Sequence, residues 1–153
     1  MYTLIKFLHI FGAVLFLGNI MVTAMWKARA DRTGDLATIA FAQRLVGLTD
    51  LAFTVPGAAL IAVTGYAMAV RRPFPLHGLP WLEWGQGLYW VTVLLYLLVL
   101  VPIQRRLITV ADAARRSGSL APEFRRLSAR WALWGGIATL LPLAALYLMV
   151  TKP

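Results

Sequence analysis

The sequence predicts an all-α integral membrane protein, a single domain over residues 1–153 folded as a bundle of four transmembrane helices with both termini on the extracytoplasmic side. Three observations carry that reading. First, 60% of the residues are hydrophobic and 14% are charged, with a mean hydropathy of +0.73, so lipid rather than water must cover most of the chain. Second, four apolar runs lie at about 7–25, 45–70, 85–103 and 131–150, and at 1.5 Å per helical residue each can cross a hydrocarbon core of about 30 Å. Third, Lys and Arg gather at alternate junctions: eleven flank the connections after the first and third runs, against four at the termini and the middle connection. The positive-inside rule then makes the Arg-rich end cytoplasmic, in the inner membrane of a bacterium.

Each helix has its own start and stop signals. The first run, FLHIFGAVLFLGNIMVTAM, is fenced by Lys6 and Lys27 and is expected to continue to about Ala30, where DRTGD breaks it. A secretory signal is the competing reading of this run, but 19 uncharged residues exceed a usual signal core. Asp35 is placed to cap the second helix, which enters lipid at Arg44 and leaves it at Arg71 and Arg72, with Pro56-Gly57 inside allowing a kink. The stretch RRPFPLHGLPWLEWGQG reads as an interfacial connection, and Trp81, Trp84 and Trp90 fit an aromatic belt. The third helix is expected to run on past Pro102 as an amphipathic tail over residues 107–114, until Ser117-Gly118-Ser119. Pro122 followed by Glu123 opens the fourth.

Composition excludes several chemistries. With no cysteine there is no disulfide, thiolate nucleophile or iron–sulfur cluster. The net charge of +9 belongs to residues flanking apolar segments, so anionic lipid headgroups, not nucleic acid, are the expected partner. No P-loop, dinucleotide fingerprint or HExxH is present.

Polar groups inside the spans are costly and need a partner or a role. On the first helix His9, Gly12, Ala13, Phe16, Asn19, Ile20 and Thr23 fall within an arc of about 120°. On the second, Asp50, Thr54, Gly57, Ile61, Thr64, Gly65 and Met68 share a face, and on the fourth Gly135, Ala138, Thr139 and Pro142 do. Such stripes let membrane helices pack closely, and that is their ordinary reading. His9 could instead ligate haem iron or bond to a quinone, with Gly12, Phe16 and Met68 around the cofactor and Met68, His77 or a second copy of His9 in a homodimer as the further ligand. Asp50 needs pairing or protonation. Arg130, entering the membrane from the same side, is its expected partner, with Asn19 a further polar or proton site.

The stretches KFLHIFGAVLFLGNIMVTAMWK, VPGAALIAVTGYAM and LYLMVTKP resemble a bacterial family of four-helix integral membrane proteins of unknown function. More distantly, the chain is similar to HemJ-type protoporphyrinogen oxidases and copper-resistance D-like proteins, which share a Lys-x-x-His start and a Lys-Pro ending. That similarity implies a common fold and a haem site at His9. NIMVTAM after Gly18, and Gln86 with no lysine in the third span, depart from the HemJ pattern and speak against the oxidase reaction. The expected function is therefore a membrane protein that binds haem b and passes electrons, in connection with a quinone. The alternative is a cofactor-free protein acting in assembly or small-solute passage.

Overall fold

The computed structural model describes residues 1–71 and 78–152. His77 and Arg72 of the middle connection, and the final residue of the Lys-Pro ending, lie outside these. The described residues form four long helices and no strand: α1 (Tyr2–Thr33), α2 (Leu36–Val70), α3 (Pro80–Ser117) and α4 (Pro122–Thr151). All four are long and apolar enough to cross a membrane. Both termini lie at one end of the bundle, and most of the arginines lie at the other.

The local signals act where they stand. α1 runs three residues past the expected stop, and Gly34 closes it in the left-handed conformation at φ 70°. The Asp35 carboxylate accepts from the Thr38 N–H at 2.8 Å, occupying one of the donors left open at the start of α2. α3 begins at Pro80, five residues before the expected 85, because a proline at the first turn gives up a donor that has no partner anyway. Its tail continues to Ser117 as expected, and Gly118 ends it at φ 76°.

Pro56 and Pro102 do more than kink their helices. Each follows a π-turn, Asp50–Thr54 in α2 and Tyr96–Leu100 in α3, in which the Val55 and Val101 N–H groups reach back five residues to the Asp50 and Tyr96 carbonyls. A proline lacks the N–H for the preceding turn and its ring crowds that turn's carbonyl, so the helix widens there. Counted from the termini end, both wide turns sit at the same depth.

α1 and α2 form one antiparallel pair, α3 and α4 another, and the two pairs meet mainly at the Arg-rich end. There Ile39 and Ala40 of α2, Ile103, Leu107, Val110 and Ala111 of α3 and Phe124 of α4 make a buried core, flanked by Trp131 and Trp134. Burying each large aliphatic side chain contributes about 1.5–3 kcal/mol. The α3 positions recur at helical spacing while Arg105, Arg106, Arg115 and Arg116 face outward, so the tail extends the bundle beyond the apolar run. Toward the termini, Tyr89 of α3 donates to the Ala58 carbonyl of α2 at 2.8 Å, and Lys152 lies over the Trp81 ring, 5.6 Å from its centroid.

Candidate functional site

His9 and Thr64 form one polar cluster on the seam between α1 and α2, Asn19, Asp50 and Thr54 form another, and a close helix contact separates them. The expected stripes of both helices are the faces that meet: Gly12, Phe16 and Thr23 of α1 and Thr54, Gly57 and Thr64 of α2 are all buried.

The contact is made at Gly12 and Gly57. A methyl group on Gly57 would stand 2.9 Å from both the Gly12 carbonyl oxygen and the Phe16 nitrogen, and one on Gly12 would stand 3.0 Å from the Gly57 carbonyl oxygen. Only glycine admits such an approach of two backbones. Phe16 is packed beside it at 4% exposure. Gly12 and Phe16, expected beside a cofactor, thus lie in the contact that joins α1 to α2.

Toward the termini lies His9. Its Nδ1 is 3.0 Å from the Thr64 hydroxyl, which spends its own proton on the Leu60 carbonyl. Thr64 can then only accept, so Nδ1 carries the hydrogen. A neutral imidazole has one N–H, which leaves the lone pair on Nε2. Gly65 makes room for the ring: a methyl there would meet His9 Cε1 at 3.2 Å. Met68 is half-buried on the same face, one turn beyond Thr64.

On the other side of the contact lies Asp50, the first residue of the α2 π-turn. Asn19 donates from Nδ2 to Asp50 Oδ1 at 3.1 Å and to the Thr54 hydroxyl at 2.8 Å, and Thr54 donates to the same Asp50 oxygen at 2.8 Å. Asp50 and Asn19, named separately in the sequence, are thus one group. Arg130 is exposed and does not pair with Asp50, and no ion pair to Asp50 forms among the described residues.

Below Asp50, the seam opens into a network that sequence reasoning missed. Lys27, 2% exposed, donates to Asp31 Oδ2 at 2.7 Å and to the Ser128 hydroxyl at 2.8 Å, and its ammonium lies 4.7 Å from the centre of the Trp131 ring. Ser128 donates to the same Asp31 oxygen, and Gln43 donates to the other at 3.1 Å. Gln104 donates to the Gln43 carbonyl at 2.9 Å. One residue or more from each helix takes part. The readable signal was the four-residue spacing of Lys27 and Asp31, which places them on one helix face.

Among the described residues no group of three His, Cys, Asp or Glu side chains is arranged to hold a metal ion. The family described as "Predicted integral membrane protein (DUF2269)" matches residues 3–153. The chain belongs to the DUF2269 family. No curated protein and no solved structure matches it. Membership fits the four apolar helices, and in this DUF2269 protein His9 and Asp50 both lie on the α1–α2 pair.

Proposed function

We propose that this DUF2269 protein serves small-solute passage, with Asp50 as a carboxylate that takes up and releases a proton within the inner membrane of a bacterium. The observation that carries this reading is the company Asp50 keeps: two neutral side chains, Asn19 and Thr54, and no cation among the described residues. An arginine partner would hold the carboxylate ionised. Amide and hydroxyl donors stabilise the anion modestly, and the hydroxyl can turn to accept from the acid, so both protonation states are accommodated. Thr23 and the Lys27–Asp31 network continue the polar seam toward the Arg-rich end, which the positive-inside rule makes cytoplasmic, with both termini outside. The Gly12–Gly57 contact closes the seam on the other side.

The test is proton flux in vesicles holding a pH-sensitive dye, with valinomycin to balance charge. Vesicles containing the protein should lose an imposed pH gradient faster than empty ones, and Asp50→Asn should remove the difference while His9→Ala keeps it. Wild-type vesicles as tight as empty ones would end this reading.

A second reading is electron transfer through haem b at His9, with a quinol as donor and the second axial ligand from Met68 or from His9 of another copy in a homodimer. It is favoured by the bond to Thr64: with the N–H at Nδ1 directed to that hydroxyl, Nε2 keeps the lone pair that an iron ligand needs. The porphyrin would lie outside the α1–α2 seam. Absorption spectra of oxidised and dithionite-reduced protein, beside His9→Ala, decide it: a Soret band lost in the variant supports haem, and a colourless wild type from haem-supplied cells eliminates it.

A further inference from the structure

Where α3 leaves the apolar zone, a groove of about 630 Å³ is lined by Leu97, Val101, Pro102, Arg105, Arg106 and Thr109. A second hollow of about 330 Å³ shares Arg106 and Thr109 and continues to Ser117 and Ser119. We propose that this groove binds an anionic glycerophospholipid, one acyl chain along Leu97, Val101 and Pro102 and the phosphodiester between Arg105 and Arg106.

The order of residues along the helix matches the order of groups along such a lipid. Leu97, Val101, Arg105 and Thr109 recur every four residues and so form one face, apolar at the membrane end, cationic next and hydroxylic last. Over these 12 residues the helix advances about 18 Å, the reach of part of an acyl chain, a glycerol phosphate and a headgroup. The hollow is a product of the fold: it starts at the π-turn Tyr96–Leu100 and passes Pro102, where the helix is widened.

Arg105 and Arg106 are the first charges after the apolar run, at headgroup depth. Arg105 is exposed and has no ion pair among the described residues. Arg106 is held by Glu123, Nε to Oε1 at 2.8 Å, on an exposed surface. A phosphodiester offers two acceptor oxygens to two adjacent guanidinium groups, a charge-assisted arrangement that a zwitterionic lipid carries with a competing ammonium. Glu123 is the competitor at this site, because it occupies the donors of Arg106 that the phosphate would use.

The experiment is native mass spectrometry of the full chain in detergent, titrated with dioleoylphosphatidylglycerol or with dioleoylphosphatidylcholine. The first phosphatidylglycerol should bind about tenfold more tightly than phosphatidylcholine. Arg105→Gln with Arg106→Gln should remove that preference, whereas Arg125→Gln with Arg126→Gln, an equal loss of charge on α4, should keep it within about twofold. Glu123→Gln should strengthen the first binding step by freeing Arg106, and Val101→Trp should weaken it by filling the apolar part with all charges retained. Equal weakening by the two double variants would mean diffuse attraction to a basic surface and would overturn the site. Equal binding of the two lipids would overturn headgroup recognition.

Discussion

Lys27 and Ser128, 101 residues apart in the chain, meet at 2.8 Å inside the protein, and through them the first helix is joined to the last. Both serve Asp31, whose Oδ2 accepts from each. The Lys27 stem and ammonium are further enclosed by the Phe124 and Trp131 rings, 6.0 and 4.7 Å from the charge. A cation so enclosed is stable only because its partners are complete.

Lys27→Met should therefore destabilise the protein by about 3 kcal/mol, since Asp31 keeps its charge and loses its counter-ion. Lys27→Met combined with Asp31→Leu should cost less than the single change, because no buried charge is left alone. Thermal midpoints of the purified variants in one detergent check the order; a double variant weaker than Lys27→Met would show that the pair acts through more than mutual neutralisation.

Gly57→Ala should separate α1 from α2, because the added methyl would press on two backbone atoms, the Gly12 oxygen and the Phe16 nitrogen, at 2.9 Å. Gly18→Ala, where a methyl meets nothing within 4 Å, should be neutral or raise stability by up to about 1 kcal/mol through helix propensity. Unfolding of the two variants side by side distinguishes a packing glycine from an idle one.

The start of α2 should be sensitive to acid. Hydrogen bonds from the Thr38 hydroxyl and N–H hold the Asp35 carboxyl below its ordinary value. A carboxyl depressed in the folded state adds stability that is complete above its unfolded value, near pH 4, and is lost as pH falls through the folded one. The protection factor of the Thr38 amide, its exchange relative to an unstructured chain at the same pH, should fall below about pH 4 in the wild type. Asp35→Ala should exchange faster at neutral pH and lack the acid step.

Sidedness can be measured directly, because the chain contains no cysteine to mask. Ser119→Cys should be shielded from a membrane-impermeant maleimide in intact cells and react after permeabilisation. Thr3→Cys should react in both, as the charge asymmetry of the connections requires. The reverse pattern would place the arginines outside.

The four helices were legible because a membrane span leaves little freedom: a long apolar run between charges has one backbone solution. The facing stripes were legible too, since His9, Gly12, Phe16, Asn19 and Thr23 fall on one side of a helix whatever its partner is. What the stripes do was not. Packing was the ordinary reading of Gly12 and Phe16 and a cofactor wall the other, and the residue they meet, Gly57, lies on another helix that no local pattern places opposite them. Arg130 has the right charge and depth for Asp50, but it lies on another helix whose rotation no local pattern fixes. Lys27 sits at a span edge, where lysines ordinarily anchor to the interface, so its burial against Trp131 depends on residues a hundred positions away. The π-turns leave no residue signature beyond the prolines that follow them.

The α1–α2 seam is built entirely from residues before 71: His9 with Thr64, Gly12 with Gly57, Asn19 with Asp50 and Thr54. All of these residues are made before any residue of α4. Lys27 must wait. At about 5–20 residues per second, the 101 residues to Ser128 take about 5–20 s to synthesise. During that interval, Asp31 on the same helix is the partner already made, and the aromatic enclosure of Phe124 and Trp131 arrives last. Synthesis order alone thus completes the partners of Asp50 before those of Lys27, whose link between the first and last helices needs α4.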